Sequence, residues 1–531
     1  MELSFVTETT ASTARSWRES LRTFWHPSVI TMLFLGFSAG IPLLLIFSSL
    51  SLWLGEAGVE RKAVTFFSWA ALGYSFKFVW APLIDRLPVP VLTRLLGRRR
   101  AWMLVSQAFI ILGIVLMAMV DPAAGGGSLT FMALAAVLLG FSSATQDIVI
   151  DAYRIEAAEV RLQAMMTSGY IAGYRVGMVV AGAGALFLAA SFGSTKEAYV
   201  YNAWQWTYLL MAATILVGVV TTLLIAEPAP RQGGGHSSSA TYSGMDYARL
   251  VLVFACAAAG FVGTFFFSSN AFGSMNEALG DSVLGAFLLE TVHFVLAIGV
   301  AVLLGWQLVK LGAVNQVMAR ETWVEPVADF FQRYGGQTAL LLLALIGLYR
   351  ISDVVLGVIS NVFYQDMGFS KPEIATAVKT FGVIVSIVGS FLGGLLATQF
   401  NVLRVLMLGA VLSAATNLLF VWLAYVGHDL TVMYIAVTAD NLAAGLASAA
   451  FVAFISSLTS ISFTAVQYAI FSSLMTLLPK VLGGYSGTIV DSIGYPGFFT
   501  FTALIGLPVL WLVWLTSRKL KTDYSPSAIS G

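Results

Sequence analysis

The chain has 531 residues, of which 58% are hydrophobic and only 10% charged, with a net charge of +1 and a mean hydropathy of +0.86. Soluble domains carry about 25% charged residues, so this balance describes a polytopic helical membrane protein. The near-zero charge excludes an electrostatic case for nucleic acid, and the lone Cys256 excludes internal disulfides and thiol-metal chemistry.

Residues 1–27 are polar, carry Arg15, Arg18 and Arg22, and read as a cytoplasmic N-terminal segment. The apolar run that follows is too long for a signal peptide and has no small-residue cleavage pattern, so it reads as a retained first span. With about 20 residues per crossing, the chain reads as about fourteen spans. They fall at roughly 28–54, 63–84, 101–120, 130–153, 165–190, 203–226, 248–270, 283–309, 337–362, 372–398, 402–426, 431–457, 464–489 and 494–516. Apart from Arg61, Lys62, Lys196 and Lys371, the loop cations gather on one side, which places both termini in the cytoplasm.

The chain repeats itself once. Leu54-Gly55-Glu56-Ala57-Gly58 after the first span and Tyr364-Gln365-Asp366-Met367-Gly368 after the ninth are short acidic-glycine loops 310 residues apart. Two six-helix halves in one orientation, 28–227 and 337–517, are the mark of a parallel-repeat transporter. Between them lie a flexible Gly/Ser-rich linker (228–247), an inserted two-helix hairpin (248–312) and a cytoplasmic connector (313–336); 518–531 form a cytoplasmic tail. The hairpin holds few ionisable groups beyond Glu290 and His293, and is expected outside the twelve-helix core.

Gly36-Phe37-Ser38-Ala39-Gly40 matches a hydrolase elbow by letter but lies inside a span, without strand or turn. The Gly36/Gly40, Gly173/Gly177 and Gly389/Gly393 spacings suit close helix packing instead. Asp85-Arg86 closes the second span, and Gly97-Arg98-Arg99-Arg100 ends the loop after it. This resembles the major facilitator signature between the second and third helices, and implies a gating motif. The carboxylate can accept Arg hydrogen bonds and hold one of two states. Plain positive-inside charge is the alternative.

Toward the end of the fourth span stand Gln146, Asp147, Asp151 and Arg154. A membrane carboxylate costs at least about 2.5–3.5 kcal/mol on insertion scales and needs a partner, water or a proton. Asp147 and Asp151 share one helix face and are the candidates for proton coupling; a cluster that only fixes helix depth is the alternative. The other costly groups are Lys77, Arg175, Arg350 with Asp353, Lys379, Asp440 beside Asn441, Gln467 and Lys480, with Tyr174, Tyr349 and Tyr468 as neighbours. Lys77, Gln146, Tyr174, Arg175, Arg350, Asp353, Lys379, Asn441, Gln467 and Lys480 are the substrate candidates. Converging at midplane, they would form a cavity able to hold carboxylates; singly, each also suits an interface ion pair or a snorkelling side chain. His26, His236, His293 and His428 lack metal-ligand spacing and no phosphate loop occurs, so neither metal nor cofactor is expected.

Ser143 through Tyr153 and Gly173-Tyr174-Arg175-Val176-Gly177-Met178 resemble the AmpG muropeptide permeases. So do Phe76 through Arg86, Gly97 through Arg100, Asp440-Asn441-Leu442-Ala443-Ala444-Gly445 and Phe463 through Ala469. The likeness covers most of the two halves, with Asp440 standing where a Glu is expected. It implies a major facilitator fold in a bacterial inner membrane; a monomer is expected. It further implies import of GlcNAc-1,6-anhydro-MurNAc, with or without stem peptide, for peptidoglycan recycling. Proton coupling and a link to β-lactamase induction come with the family. A carrier of another anionic metabolite such as acetyl-CoA, a membrane-embedded enzyme and a channel are the competing readings.

Overall fold

The computed structural model describes residues 22–59, 72–195, 198–229, 242–278, 283–483 and 485–522. The N-terminal segment up to residue 21, the start of the second span, Arg61 and Lys62, most of the linker and the tail beyond 522 lie outside the described residues. So do the side chains of Glu290 and Lys371. The rest falls into two compact units, drawn from Met1–Gly234 with Tyr334–Gly531 and from Gly235–Arg333.

Thirteen helices among the described residues are long and apolar enough to cross a membrane. In the first unit they are α1 (Pro27–Glu56), α3 (Arg98–Ala118), α4 (Gly127–Ala157), α5 (Leu162–Ser191) and α6 (Tyr201–Leu224). The second half adds α9 (Gly336–Asp366), α10 (Pro372–Gln399), α11 (Val402–Val426), α12 (Leu430–Leu458), α13 (Ile461–Lys480) and α14 (Ser486–Leu520). The described end of the second expected span is α2, residues 72–86, a helix interrupted at Lys77–Val79. The second unit holds α7 (Gly244–Met275) and α8 (Thr291–Lys310).

Several spans, α1, α4, α5, α7, α9 and α14 among them, run past both expected ends, whereas α3, α6 and α13 stop short at their C-terminal ends. An apolar count stops at the first charge, whereas the backbone continues helical until a cap intervenes. α3 starts at Arg98, so Arg98, Arg99 and Arg100 are its first turn and not loop. Gly97 precedes them at φ 90°, and the Glu227 carboxylate accepts the Arg99 and Arg100 N–H groups at 2.8 and 3.0 Å. The expected connector is also helical, over Gln316–Ala319, Arg320–Val324 and Glu325–Tyr334.

The repeat holds at the level of single hydrogen bonds. Gly58 and Gly368 both sit at positive φ, 75° and 87°, where glycine closes a helix without Cβ strain. Val59 donates to the Leu54 carbonyl and Phe369 to the Tyr364 carbonyl, the same reach-back in each copy. Glu56 and Asp366, 310 positions apart, each accept from an aromatic on the last helix of their half. Glu56 takes the Trp204 Nε1–H at 2.7 Å, and Asp366 takes the Tyr495 hydroxyl. Helix pairing repeats too: α1 packs on α5 and α6, α3 on α4 and α6, while α9 packs on α13 and α14, and α11 on α12 and α14.

Glycine makes the tightest of these contacts possible. A Cβ on Gly36 or Gly40 would strike the Tyr170 or Tyr174 carbonyl of α5, and one on Gly173 would strike the Leu33 carbonyl of α1. Gly389 and Gly393 stand equally close to α12. Gly173→Leu is therefore expected to lower the yield of monodisperse detergent-purified protein severalfold, since overpacking cannot relax against backbone. Gly55→Ala, with open space at its Cβ, should leave the yield unchanged.

The halves meet through α5 on α10 and α12, and through α13 on α2 and α4. The named contacts lie at the end of the bundle where α1 begins: Phe24 packs edge-on to Phe391 at 5.0 Å and Ser168 donates to the Ser390 carbonyl at 2.6 Å. Ala465 and Ala469 of α13 share a buried cluster there with Met32, Met103, Ile150 and Met165 of the first half.

In the second unit, α7 and α8 are joined at His293. The His293 ring stacks on Phe265 and Phe272 at 4.2 and 4.3 Å, and its Nε2 lies 2.8 Å from the Ser268 hydroxyl and 3.1 Å from the Phe265 carbonyl. Most of its apolar surface is exposed, Phe267 at 92%.

Candidate functional site

At the end where α1 begins, the Asp-Arg and Gly-Arg-Arg-Arg residues assemble into one bracket. Arg99, 1% exposed, places its guanidinium 2.7 Å from Asp85 and 2.5 Å from Glu156 of α4. Arg98 donates to the Asp85 carbonyl at 2.8 Å and lies 3.8 Å from Glu156. Arg100 caps the end of α6, donating to the Thr222 and Leu223 carbonyls at 3.0 and 2.7 Å. Arg86 closes α2. The longer loop does not open this bracket, because a short helix, Leu92–Leu96, takes up its length. The other Asp85 oxygen accepts the Val466 N–H of α13 at 3.0 Å. An anion at a helix start is stabilised by the free N–H groups there, so one carboxylate ties the first half's arginines to the second half.

A second tie is Arg154, also 1% exposed. It donates to Gln163 at 3.0 Å and Thr167 at 3.3 Å in α5 and to Ser456 of α12 at 2.9 Å, and it lies over the Tyr468 ring of α13 at 5.2 Å. Its other nitrogen is 3.4 Å from Asp151. Asp151 also meets Lys77 at 3.7 Å, the side chains being 14% and 11% exposed. One turn earlier in α4, about 6 Å, Asp147 accepts the Tyr170 hydroxyl at 3.1 Å and has no cation within ion-pair distance among the described residues. Gln146 is fully buried, and neither atom of its amide has a hydrogen-bond partner among the described residues.

Nearer the middle of the helices lies a third group. Arg350, about 21 Å from the start of α9 at 1.5 Å per residue, pairs with Asp353 at 3.2 Å and donates to Ser448 of α12 at 2.6 Å. Arg175 of α5 is at a similar depth and its charge acts on that of Arg350. It is half-buried, and it has no hydrogen bond or ion pair among the described residues. Asp440 of α12 feels the charges of Arg350 and Asp353 and likewise has no hydrogen-bonding partner among the described residues. Asn441 donates to the Val437 carbonyl of its own helix at 2.9 Å, close under Gly382 of α10.

The remaining candidates lie apart from that group. Gln467 is 1% exposed and accepts the Ser460 N–H at 2.7 Å, fastening the turn into α13. Lys480 is exposed and reaches Ser75 of α2 at 3.4 Å, and Lys379 is exposed on the wide turn Ala375–Phe381. Of the three tyrosines, Tyr349 donates to the Leu406 carbonyl at 3.0 Å and Tyr468 lies under Arg154, while Tyr174 stays half-buried against Tyr170.

Sequence reasoning passed over Glu156, Gln163, Tyr170, Glu227 and Ser456. One signal was available for two of them. Gln163 and Gln467 stand 304 positions apart in the first turns of α5 and α13, and Gln163 fastens its own turn by donating to the Arg154 and Ala158 carbonyls at 2.9 and 3.1 Å. Arg154 and Ser456 likewise occupy matching ends of α4 and α12.

Comparison with known proteins extends this geometry. The Major Facilitator Superfamily model matches residues 32–320 and 341–529. A putative transporter named AmpG 4 from Rickettsia felis is 28% identical over 486 residues, 92% of this chain and 95% of that protein. The anhydromuropeptide permease of Escherichia coli K12 is 28% identical over 502 residues, 94% of this chain and 82% of that one. Among solved structures, the proton:xylose symporter XylE aligns with a TM-score of 0.55 at 11% identity, over 94% of this chain and 96% of that one. FucP in its outward conformation aligns at 0.56 and 12%, over 93% and 99%. At such identities these two share the fold.

Proposed function

The chain belongs to the Major Facilitator Superfamily and is a multi-pass membrane transporter, and we propose that it imports GlcNAc-1,6-anhydro-MurNAc and its peptide-bearing forms from periplasm to cytoplasm. The observation that carries the anionic cargo is Arg175. A guanidinium inside a membrane protein, without a protein acceptor among the described residues and within the field of a second arginine from the other half, suits a carboxylate-bearing solute. Arg350, Asp353, Asn441 and Tyr174 complete the proposed contact set. The likeness to the anhydromuropeptide permease supplies the sugar.

The proposed alternating access is supported by where the halves touch. The Asp85 tie to Val466 and the Arg154 tie to Ser456 both sit at the end where α1 begins. With the termini in the cytoplasm, as the loop cations imply, those ties close the path on the cytoplasmic side. Opening requires both to break while each half moves as a body. Asp147 and Asp151 are the proposed proton carriers; one Asp151 oxygen meets Arg154 and the other Lys77, and a proton taken there loosens the Arg154 anchor. The protein is proposed to work as a monomer in a bacterial inner membrane.

The deciding experiment is uptake of labelled anhydro-muropeptide into proteoliposomes under an inward proton gradient. Saturable accumulation that collapses with a protonophore is expected. Accumulation that ignores the gradient would remove the coupling, and no uptake at all would remove the cargo. The same arginines suit an acyl-CoA, so unlabelled acetyl-CoA is added as competitor; strong competition would favour that second reading.

A further inference from the structure

Three tyrosines converge on one stretch of α4. Tyr74 of α2 donates to the Ser143 hydroxyl at 2.7 Å, and Tyr170 of α5 donates to Asp147 at 3.1 Å. Ser143 and Asp147 are one turn apart and share a face of α4. The Tyr174 ring lies 5.9 Å from that of Tyr170, at 43° to it. Both rings pack against the buried cluster in which Ala465 and Ala469 of the second half meet the first. They also stand further along α5 than Gln163 and Thr167, which hold Arg154. The group therefore borders the contact between the halves, on the inner side of the cytoplasmic closure. All three tyrosines are partly exposed, so a solute can reach them. The Tyr174 hydroxyl and the second Asp147 oxygen take no hydrogen bond among the described residues.

One tyrosine is enough to satisfy one side of a membrane carboxylate, and the second ring on α5 adds nothing to that. A polyhydroxylated ring uses the whole arrangement. An aromatic face takes the apolar C–H face of a sugar, and a carboxylate accepts its hydroxyl groups in charge-assisted hydrogen bonds. The bonds from Tyr74 and Tyr170 to α4 hold two of the rings in place beforehand, so little ordering is left to the moment of binding. We infer that Tyr170 and Tyr174, with the second oxygen of Asp147, form the subsite for a sugar ring of the cargo, closed from α2 by Tyr74. This deepens the proposed function and rests on it. Arg175, the next residue along α5, is left for the peptide carboxylate, so one helix reads both parts of a muropeptide. The assignment also gives Asp147 a second role, since the sugar hydroxyl and the proton then meet at one carboxylate.

The test is the KM for uptake into proteoliposomes, measured separately for the peptide-free disaccharide and the peptide-bearing cargo. KM is read in place of maximal rate, so lower expression of a variant does not enter. Tyr174→Leu is expected to raise both KM values about tenfold, the scale of a lost aromatic contact. Tyr174→Phe keeps the ring and should stay near wild type for both. A second measurement needs no variant: saturation transfer from tyrosine protons to the ring C–H protons of bound disaccharide, in wild-type protein whose other side chains are deuterated. Transfer to those protons is expected. An unchanged KM in Tyr174→Leu, a loss in Tyr174→Phe as large as that in Tyr174→Leu, or no transfer from tyrosine would each overturn the inference, while uptake by wild type leaves the muropeptide reading standing. If wild type takes up neither cargo, the muropeptide reading fails and carries this inference with it.

Discussion

Arg175→Lys is expected to cut uptake of peptide-bearing cargo about 10- to 100-fold, while peptide-free disaccharide loses far less. The magnitude is that of a bidentate charge-assisted contact, about 1.5–3 kcal/mol, which an ammonium cannot reproduce with its single point of charge. Arg175 has no partner to lose among the described residues, so the substitution breaks no internal bond and the protein should purify normally. Arg350→Lys differs in kind. It disturbs the contacts to Asp353 and Ser448, and part of its effect will appear as lower thermal stability in detergent. Competition curves with both cargoes measure the split. An equal loss for the two, with Arg175→Lys fully folded, would mean that this arginine acts on gating and not on the peptide carboxylate.

Asp147→Asn and Asp151→Asn should separate coupling from stability. Among the described residues Asp147 accepts only the Tyr170 hydroxyl, a contact an amide oxygen keeps. That variant should fold, lose gradient-driven accumulation and retain exchange of labelled for unlabelled cargo. Asp151 stands between Lys77 and Arg154. Removing its charge leaves two buried cations facing each other, a cost of about 3–5 kcal/mol for a broken buried pair. Asp151→Asn should therefore melt markedly earlier, and Lys77→Met added to it should recover much of the loss. If Asp147→Asn still accumulates cargo against its gradient, the proton is carried elsewhere.

Much of this molecule was legible before folding. The bilayer supplies a ruler of about 30 Å and forbids unpaired backbone, so uncharged runs mark spans whatever they pack against. The 310-residue offset between two acidic-glycine loops marked the repeat, because a helix closed by glycine at positive φ needs that residue locally. Glycine spacing marked the tight helix pairs for the same reason: a missing side chain matters wherever a backbone passes. Residues close in sequence on one helix, such as Asp151 and Arg154, could be placed on one face.

Partnership across the halves was not legible. Lys77, Arg175 and Arg350 look alike as membrane cations in the sequence, yet Lys77 is held in an ion pair with Asp151, Arg350 is paired with Asp353, and Arg175 stands free of protein acceptors among the described residues. Gln467 looked like a ligand contact and instead fastens a turn. Thus the sequence by itself determined class, span count, repeat and the inventory of costly groups, all of which depend on local composition and chain period. Only the tertiary structure decided which charges cancel. An ion pair joins groups such as Asp85 and Arg99, and the inter-half ties join Asp85 to Val466 and Arg154 to Ser456, across hundreds of residues in two cases, through helix packing that side-chain identity alone does not encode.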